Sequence, residues 1–145
     1  MKSIVICFPR AQLLMVITAT GIMAAVIGWP KVGLGQTTIE INQSLDEVSR
    51  QVDRELGRYI EKIEARLQEE PETKTQLQLS QKAWIAFRKS DCEAIYKHWK
   101  GGSIRGAMSR SHYIKLTRRR THDLWEAYLT FMDSTPPLLE EPKIE

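Results

Sequence analysis

Seven apolar residues, Leu45, Val48, Val52, Leu56, Tyr59, Ile63 and Leu67, recur at steps of three or four through the middle of this chain. A 3.6-residue period brings all seven onto one stripe, whereas strand alternation would scatter them over two faces. The stripe predicts a helix of about 25 residues. Ser44-Leu45-Asp46-Glu47 reads as its capping box, and Pro71 marks its stop. Gly57 lies inside it at a cost of about 1 kcal/mol relative to Ala, which implies a local packing reason. A helix with one apolar face must bury that face against something else.

The rest of the chain supplies the partners. A second helix is predicted from Thr73 to about His98. Leu77, Trp84, Phe87, Ile95 and Trp99 form its apolar row, widened by Ile85, Cys92 and Tyr96. Gly101-Gly102 closes it, because glycine tolerates the left-handed backbone that ends many helices. A third helix is predicted from Met108 to Met132, with Met108, Leu116, Leu124, Tyr128 and Phe131 inward and Pro136-Pro137 as the stop. Trp84 reads as core, while Trp99 and Trp125, nearer helix ends, are better placed for exposed contacts although packing is the first reading for each. The fold expected is all-α, a small bundle of about three amphipathic helices.

The N-terminal part belongs outside that bundle. Lys2 and Arg10 precede an uncharged, mostly apolar run from Ala11 to Trp29, followed by Pro30 and the small residues Gly33 and Gly35. This is the pattern of a secretory signal peptide, and its length also suits an uncleaved anchor. The organisation expected is residues 1–35 as signal or anchor, 36–135 as the helical domain, and 136–145 as an acidic mobile tail. The functional part is therefore expected outside the cytoplasm, in the periplasm or secreted.

Removing the leader changes what the charge means. The whole chain has 21 Lys and Arg against 18 Asp and Glu, a net +3. Lys2, Arg10 and Lys31 lie in the leader, which has no acid, so the remainder is neutral with 18 of each. Arg118-Arg119-Arg120 is a local basic feature, but consecutive helical residues point about 100° apart and form no single patch. Nucleic acid is therefore a poor partner.

The polar residues of helices 2 and 3 admit two kinds of reading. Cys92 is the one cysteine beyond the leader. With an imidazole it makes either a nucleophilic pair or half of a metal site, or it simply fills space. Neither an orienting group nor a further ligand set accompanies it, and no carboxylate pair, Ser-His-Asp set or phosphate-cradling glycine loop is present. The chain reads as a non-enzyme without cofactor or metal. Arg88 and Asp91 share adjacent ground on helix 2, and Arg120 occupies an inward slot between Leu116 and Leu124. Asp91 or Glu93 is the natural carboxylate for a buried Arg120. The alternative is a ligand site lined by Arg88, Arg120 and the glycine loop.

Three pieces in order, Gln81-Lys82-Ala83-Trp84-Ile85-Ala86-Phe87-Arg88-Lys89-Ser90-Asp91-Cys92, Gly101-Gly102-Ser103 and Leu116-Thr117-Arg118-Arg119-Arg120, resemble the LprI-type lysozyme-inhibitor family. The resemblance covers roughly Ile41 to Leu129. It implies a small exported helical domain in which the cysteine matching Cys92 is bonded to a cysteine just before the Leu-Thr pair. Here that second position is His112, so the resemblance implies that Cys92 and His112 face each other without a disulfide. It also implies lysozyme or another envelope protein as partner. Gly101, Gly102, Ser103, Arg105, Arg88 and Arg120 are the candidate contact residues; Trp84, Asp91, Cys92 and His112 are the candidate structural ones. The alternative is an envelope interaction or ligand-binding module that inhibits nothing.

Overall fold

The computed structural model describes residues 37–144, and the leader lies outside them. Three helices are present: α1 (Thr38–Arg66), α2 (Pro71–His98) and α3 (Arg105–Tyr128), with no strand among the described residues. Cross-links fix their directions. Asp46 meets Arg110 and Arg66 meets Tyr128, so α1 and α3 run parallel. Glu64 meets Gln78 and Asp53 meets Arg88, so α2 runs antiparallel to α1. The helix α3 packs along both others, while α1 and α2 touch each other little. Among the described residues no helix is long and apolar enough to cross a membrane.

The first helix begins earlier than Ser44. Two Ser/Thr-x-x-Glu signatures stand seven residues apart, Thr37–Glu40 and Ser44–Glu47, and the upstream one is the cap. The Thr37 hydroxyl accepts from the Glu40 amide at 3.3 Å, and the Glu40 carboxylate accepts from the Thr37 amide at 2.9 Å. Ser44 is instead an interior residue, its Oγ donating to the Ile41 carbonyl. Nothing between Thr38 and Ser44 breaks a helix, so the stronger pattern downstream did not mark the start.

The core gathers at the α1–α2 connection. Leu56, Tyr59, Ile63, Leu67, Leu77, Leu124 and Leu129 form one buried cluster, with Ile60, Trp84, Trp125 and Leu139 against it. On α2 the inward seats are Leu77, Gln81, Trp84, Arg88, Cys92 and Ile95, and the polar members Gln81 and Arg88 hid the true register. Phe87 therefore points away from the core at 52% exposed, and Ile85 and Tyr96 are also exposed. On α3 the buried seats are Ala107, Ile114, Thr117, Thr121 and Leu124. Thr117 and Thr121 satisfy their hydroxyls by donating to the carbonyls of Tyr113 and Thr117, one turn back. Met108 and Leu116 are only half-buried, Phe131 is exposed, and the helix ends before Met132.

The α2 helix does not end on a left-handed glycine. Neither Gly101 nor Gly102 has a left-handed φ. The cap is Trp99 (φ −89°), and successive tight turns, Lys97 to Lys100 and Trp99 to Gly102, lead the chain into α3.

The tail, expected to be mobile from its acidity, is docked. Leu138 N donates to the Leu129 carbonyl at 2.9 Å, Trp125 Nε1 to the Leu139 carbonyl at 2.8 Å, and Tyr59 Oη to the Glu140 carbonyl at 2.7 Å. His122 faces Glu141, and Pro142 is buried. The apolar members Leu138, Leu139 and Pro142 decide its fate, and they were outweighed in the composition by glutamates that stay in solvent. Deleting residues 136–145 leaves the Tyr59 hydroxyl and Trp125 indole without these partners. The expected loss is about 2 kcal/mol of stability, read from a urea midpoint, whereas a free tail would leave the midpoint unchanged.

Candidate functional site

The residues expected to carry chemistry divide into a clamp between the helices and a corner at one end. Arg88 is the centre of the clamp. Its Nη1 donates to Asp53 Oδ1 on α1 and to Thr117 Oγ1 on α3, both at 2.8 Å. Its guanidinium lies 4.6 Å from the Trp84 ring centre and 4.0 Å from that of Tyr113. One planar cation is thus held between two aromatic faces while its edge reaches two other helices. Tyr113 completes the arrangement by donating its hydroxyl to both Asp53 oxygens, at 2.8 and 2.6 Å. The carboxylate of Asp53 is half-exposed, so solvent screens the ion pair, but Arg88 keeps only 12% of its side-chain surface.

This clamp replaces the pairing expected from helix spacing. Asp91 does not serve Arg88. It lies 2.6 Å from His112 Nε2, and its neighbour Cys92 accepts from Ser109 Oγ through its carbonyl at 2.9 Å. His112 thus engages α2 through Asp91, one residue before the cysteine, and the α2–α3 tie here is polar. Arg120 is not paired with Asp91 or Glu93 either. Its Nε donates to Gln81 Oε1 at 2.9 Å and its Nη2 to Ser80 Oγ at 3.2 Å. Burial lowers its pKa, an effect that nearby Asp123 opposes. The reason is register: Arg120 lies eight residues, more than two turns, beyond His112, which brings it opposite Gln81 and not Asp91.

The thiol of Cys92 is no activated nucleophile. Burial, and then the charge of Asp91, push its pKa up, which leaves it protonated. Among the described residues no group of three His, Cys, Asp or Glu is placed to hold a metal. Burial and the hydrogen bond to Asp53 push the Tyr113 phenol up to about 12. A raised pKa in the folded state stabilises the protein fully below the ordinary tyrosine value and loses that contribution as pH rises through the folded value. Alkaline titration of absorbance is expected to show a late-ionising tyrosine and falling stability above pH 10, near the ordinary phenol value. Tyr113→Phe is expected to remove one late-ionising phenol, leaving that of Tyr59, which burial also raises.

The corner is built differently. Gly101, Gly102, Ser103 and Arg105 all lie on the surface between α2 and α3. Trp99, Ile104 and Tyr96 flank them, each at least 40% exposed, and Arg105 lies 4.8 Å over the Tyr96 ring. Arg88 and Arg120 are not part of this corner. The six candidate contact residues therefore fall into two places, four at the corner and two between α2 and α3. The same region carries a charge feature: residues 94–122 contain eight Lys and Arg and no acid. Overall neutrality concealed it, yet a windowed count of charges finds it directly.

The Asp53–Tyr113–Thr117 part of the clamp was not anticipated. Asp53 lies on the flank of the α1 stripe, where its single carboxylate resembles its solvated neighbours.

One family model, described as "Lysozyme inhibitor LprI", matches residues 33–124. No curated protein and no solved structure matches the chain.

Proposed function

Because the chain belongs to the lysozyme inhibitor LprI family, we propose that it is an exported cell-envelope protein that blocks a lysozyme-type cleft through the Gly101–Arg105 corner. The observation that supports this most is the composition of that corner. Lys97, Lys100 and Arg105 stand there beside exposed Trp99 and Ile104, with no acid between Ala94 and His122. A cleft that cleaves glycosidic bonds uses carboxylates, so a projecting cationic, aromatic corner complements it in charge and shape. Glycines at the tip place no side chain in the way of a narrow entrance. The α2 and α3 helices hold the corner rigid through Arg88, Ser109 and His112, so little conformational freedom is lost on docking.

On this reading the protein performs no catalysis of its own, and Cys92 and His112 serve packing. The signal or anchor segment delivers it to the compartment where its partner acts.

Immobilised protein is expected to retain lysozyme from solution at micromolar concentration and to release it as salt is raised. Free passage of lysozyme over the column overturns the reading. The second reading, an envelope module without inhibitory activity, rests on the same corner. It predicts that lysozyme passes while a different envelope protein is retained in a Trp99-dependent way.

A further inference from the structure

The arginine triplet of α3 splits three ways. Arg120 is bonded to Gln81 and Ser80 on the α2 side, and Arg119 is exposed to solvent. Arg118 lies on the opposite side, half-buried where α1, α3 and the C-terminal tail meet. The ion pairs of α3 join Arg110 to Asp46, His112 to Asp91 and His122 to Glu141. Among the described residues, Arg118 and its helix neighbour Lys115 have no such partner.

The same region leaves part of the α1 stripe uncovered. Val52, Leu56, Tyr59, Ile63 and Leu67 are buried, whereas Leu45 and Val48 are only half-buried. Gly57, where close packing was expected, is open as well, and a Cβ built there meets no atom within 4 Å. Opposite Leu45 and Val48, α3 presents Ser111 and Lys115 around Ile114, so the seam does not close. The tail covers the lower part of the seam, where Tyr59 donates to the Glu140 carbonyl, and Ile144 stands at the edge of the upper part. A groove of about 530 Å³ remains, within the range of about 300–1,000 Å³ usual for small-ligand sites. Its floor is buried Ile114 and its apolar walls are Leu45, Val48 and half-exposed Ile144. Lys115 and Arg118 are its charged members, and no Asp or Glu lines it. The glutamates near Arg118, which are Glu55, Glu140 and Glu141, line the adjoining lower depression instead.

We propose that this groove binds a single-chain amphiphile with a carboxylate head, as in a free fatty acid. The acyl chain packs on Leu45, Val48, Ile114 and Ile144, taking out of water the apolar surface that the seam leaves open. The carboxylate meets Arg118, whose planar guanidinium donates two parallel hydrogen bonds to it, with Lys115 as the second cation. A cationic amphiphile gains the same burial but meets repulsion at the head, which gives the groove its selectivity. The site shares no residue with the Gly101–Arg105 corner and does not depend on lysozyme binding.

The test is an NMR titration of the full protein with decanoate, with decyltrimethylammonium as the oppositely charged comparison. The expected result is saturable shifts of the Leu45, Ile114 and Ile144 methyls, with the cation binding at least roughly ten-fold more weakly. The double variant Lys115→Gln, Arg118→Gln keeps the stems and removes both charges; it is expected to weaken decanoate binding by about ten-fold. Ser111→Glu changes an exposed position, so the fold is kept, and it places an acid in the wall. It is expected to weaken decanoate and strengthen the cation. Absence of saturable shifts at Ile114, equal binding of the two amphiphiles, or unchanged decanoate binding in Ser111→Glu each overturn the proposal. So does binding that appears only in a variant ending at Lys143, since the residues from Ile144 onward then fill the groove themselves.

Discussion

Replacing Arg88 by Met is expected to lower the unfolding free energy by about 3 kcal/mol, the largest effect of any single polar substitution in the bundle. The estimate combines a charge-assisted hydrogen bond to Asp53 with two stacked aromatic contacts, reduced because Asp53 is half-exposed and screened. Met has similar length and fills the slot between Trp84 and Tyr113, so the loss reports the guanidinium rather than a cavity. In a domain of this size the melting temperature should fall by on the order of 15 °C. The partner Asp53→Asn isolates the ion pair, and the double variant should lose less than the two single losses together. Were Arg88→Met to melt like the wild type, the clamp would be a contact without consequence.

The second large effect concerns binding. The double variant Trp99→Ala, Arg105→Glu is expected to weaken lysozyme inhibition by roughly 100-fold, about 2.7 kcal/mol. Trp99 supplies exposed aromatic area, and Arg105 supplies the charge that meets a carboxylate-lined cleft. Reversing that charge turns attraction into repulsion. Neither residue belongs to the buried cluster, so the melting temperature should be unchanged within the scatter of surface substitutions. Equal melting and lost inhibition together distinguish a recognition role from a folding one.

Much of the architecture was legible because helical periodicity survives without context. The α1 stripe from Val52 to Leu67 is buried where its spacing demands, and three helices were readable from such rows. The details that failed share one physical cause. Arg88 and Gln81 occupy inward seats on α2, and Thr117 and Thr121 do so on α3, because each finds a hydrogen-bond partner there. A reading that equates inward with apolar then moves Phe87 inward and Arg88 outward. Tertiary partners 29 and 39 residues away decide the seats of Arg88 and Gln81, while Thr117 and Thr121 satisfy their hydroxyls on carbonyls one turn back. The tail failed in the opposite sense, since its glutamates masked Leu138, Leu139 and Pro142.

The candidate site was legible at the corner and not in the clamp. A glycine loop between two helices is exposed by construction, so Gly101, Gly102, Ser103 and Arg105 lie where the sequence puts them. Arg88 and Arg120 were alternative members of the same site, and the helices place both away from it, half-buried or deeper between α2 and α3. His112 illustrates the same point at one residue. Its imidazole meets Asp91 across the α2–α3 seam, a polar tie that an apolar row does not announce.

The most direct test is lysozyme turnover of cell-wall substrate measured against increasing concentrations of the wild-type protein and of the Trp99→Ala, Arg105→Glu variant. The wild type is predicted to suppress turnover saturably at micromolar concentration, while the variant, equally folded, leaves it nearly intact. Unchanged turnover with the wild type, or equal suppression by the variant, would contradict the account.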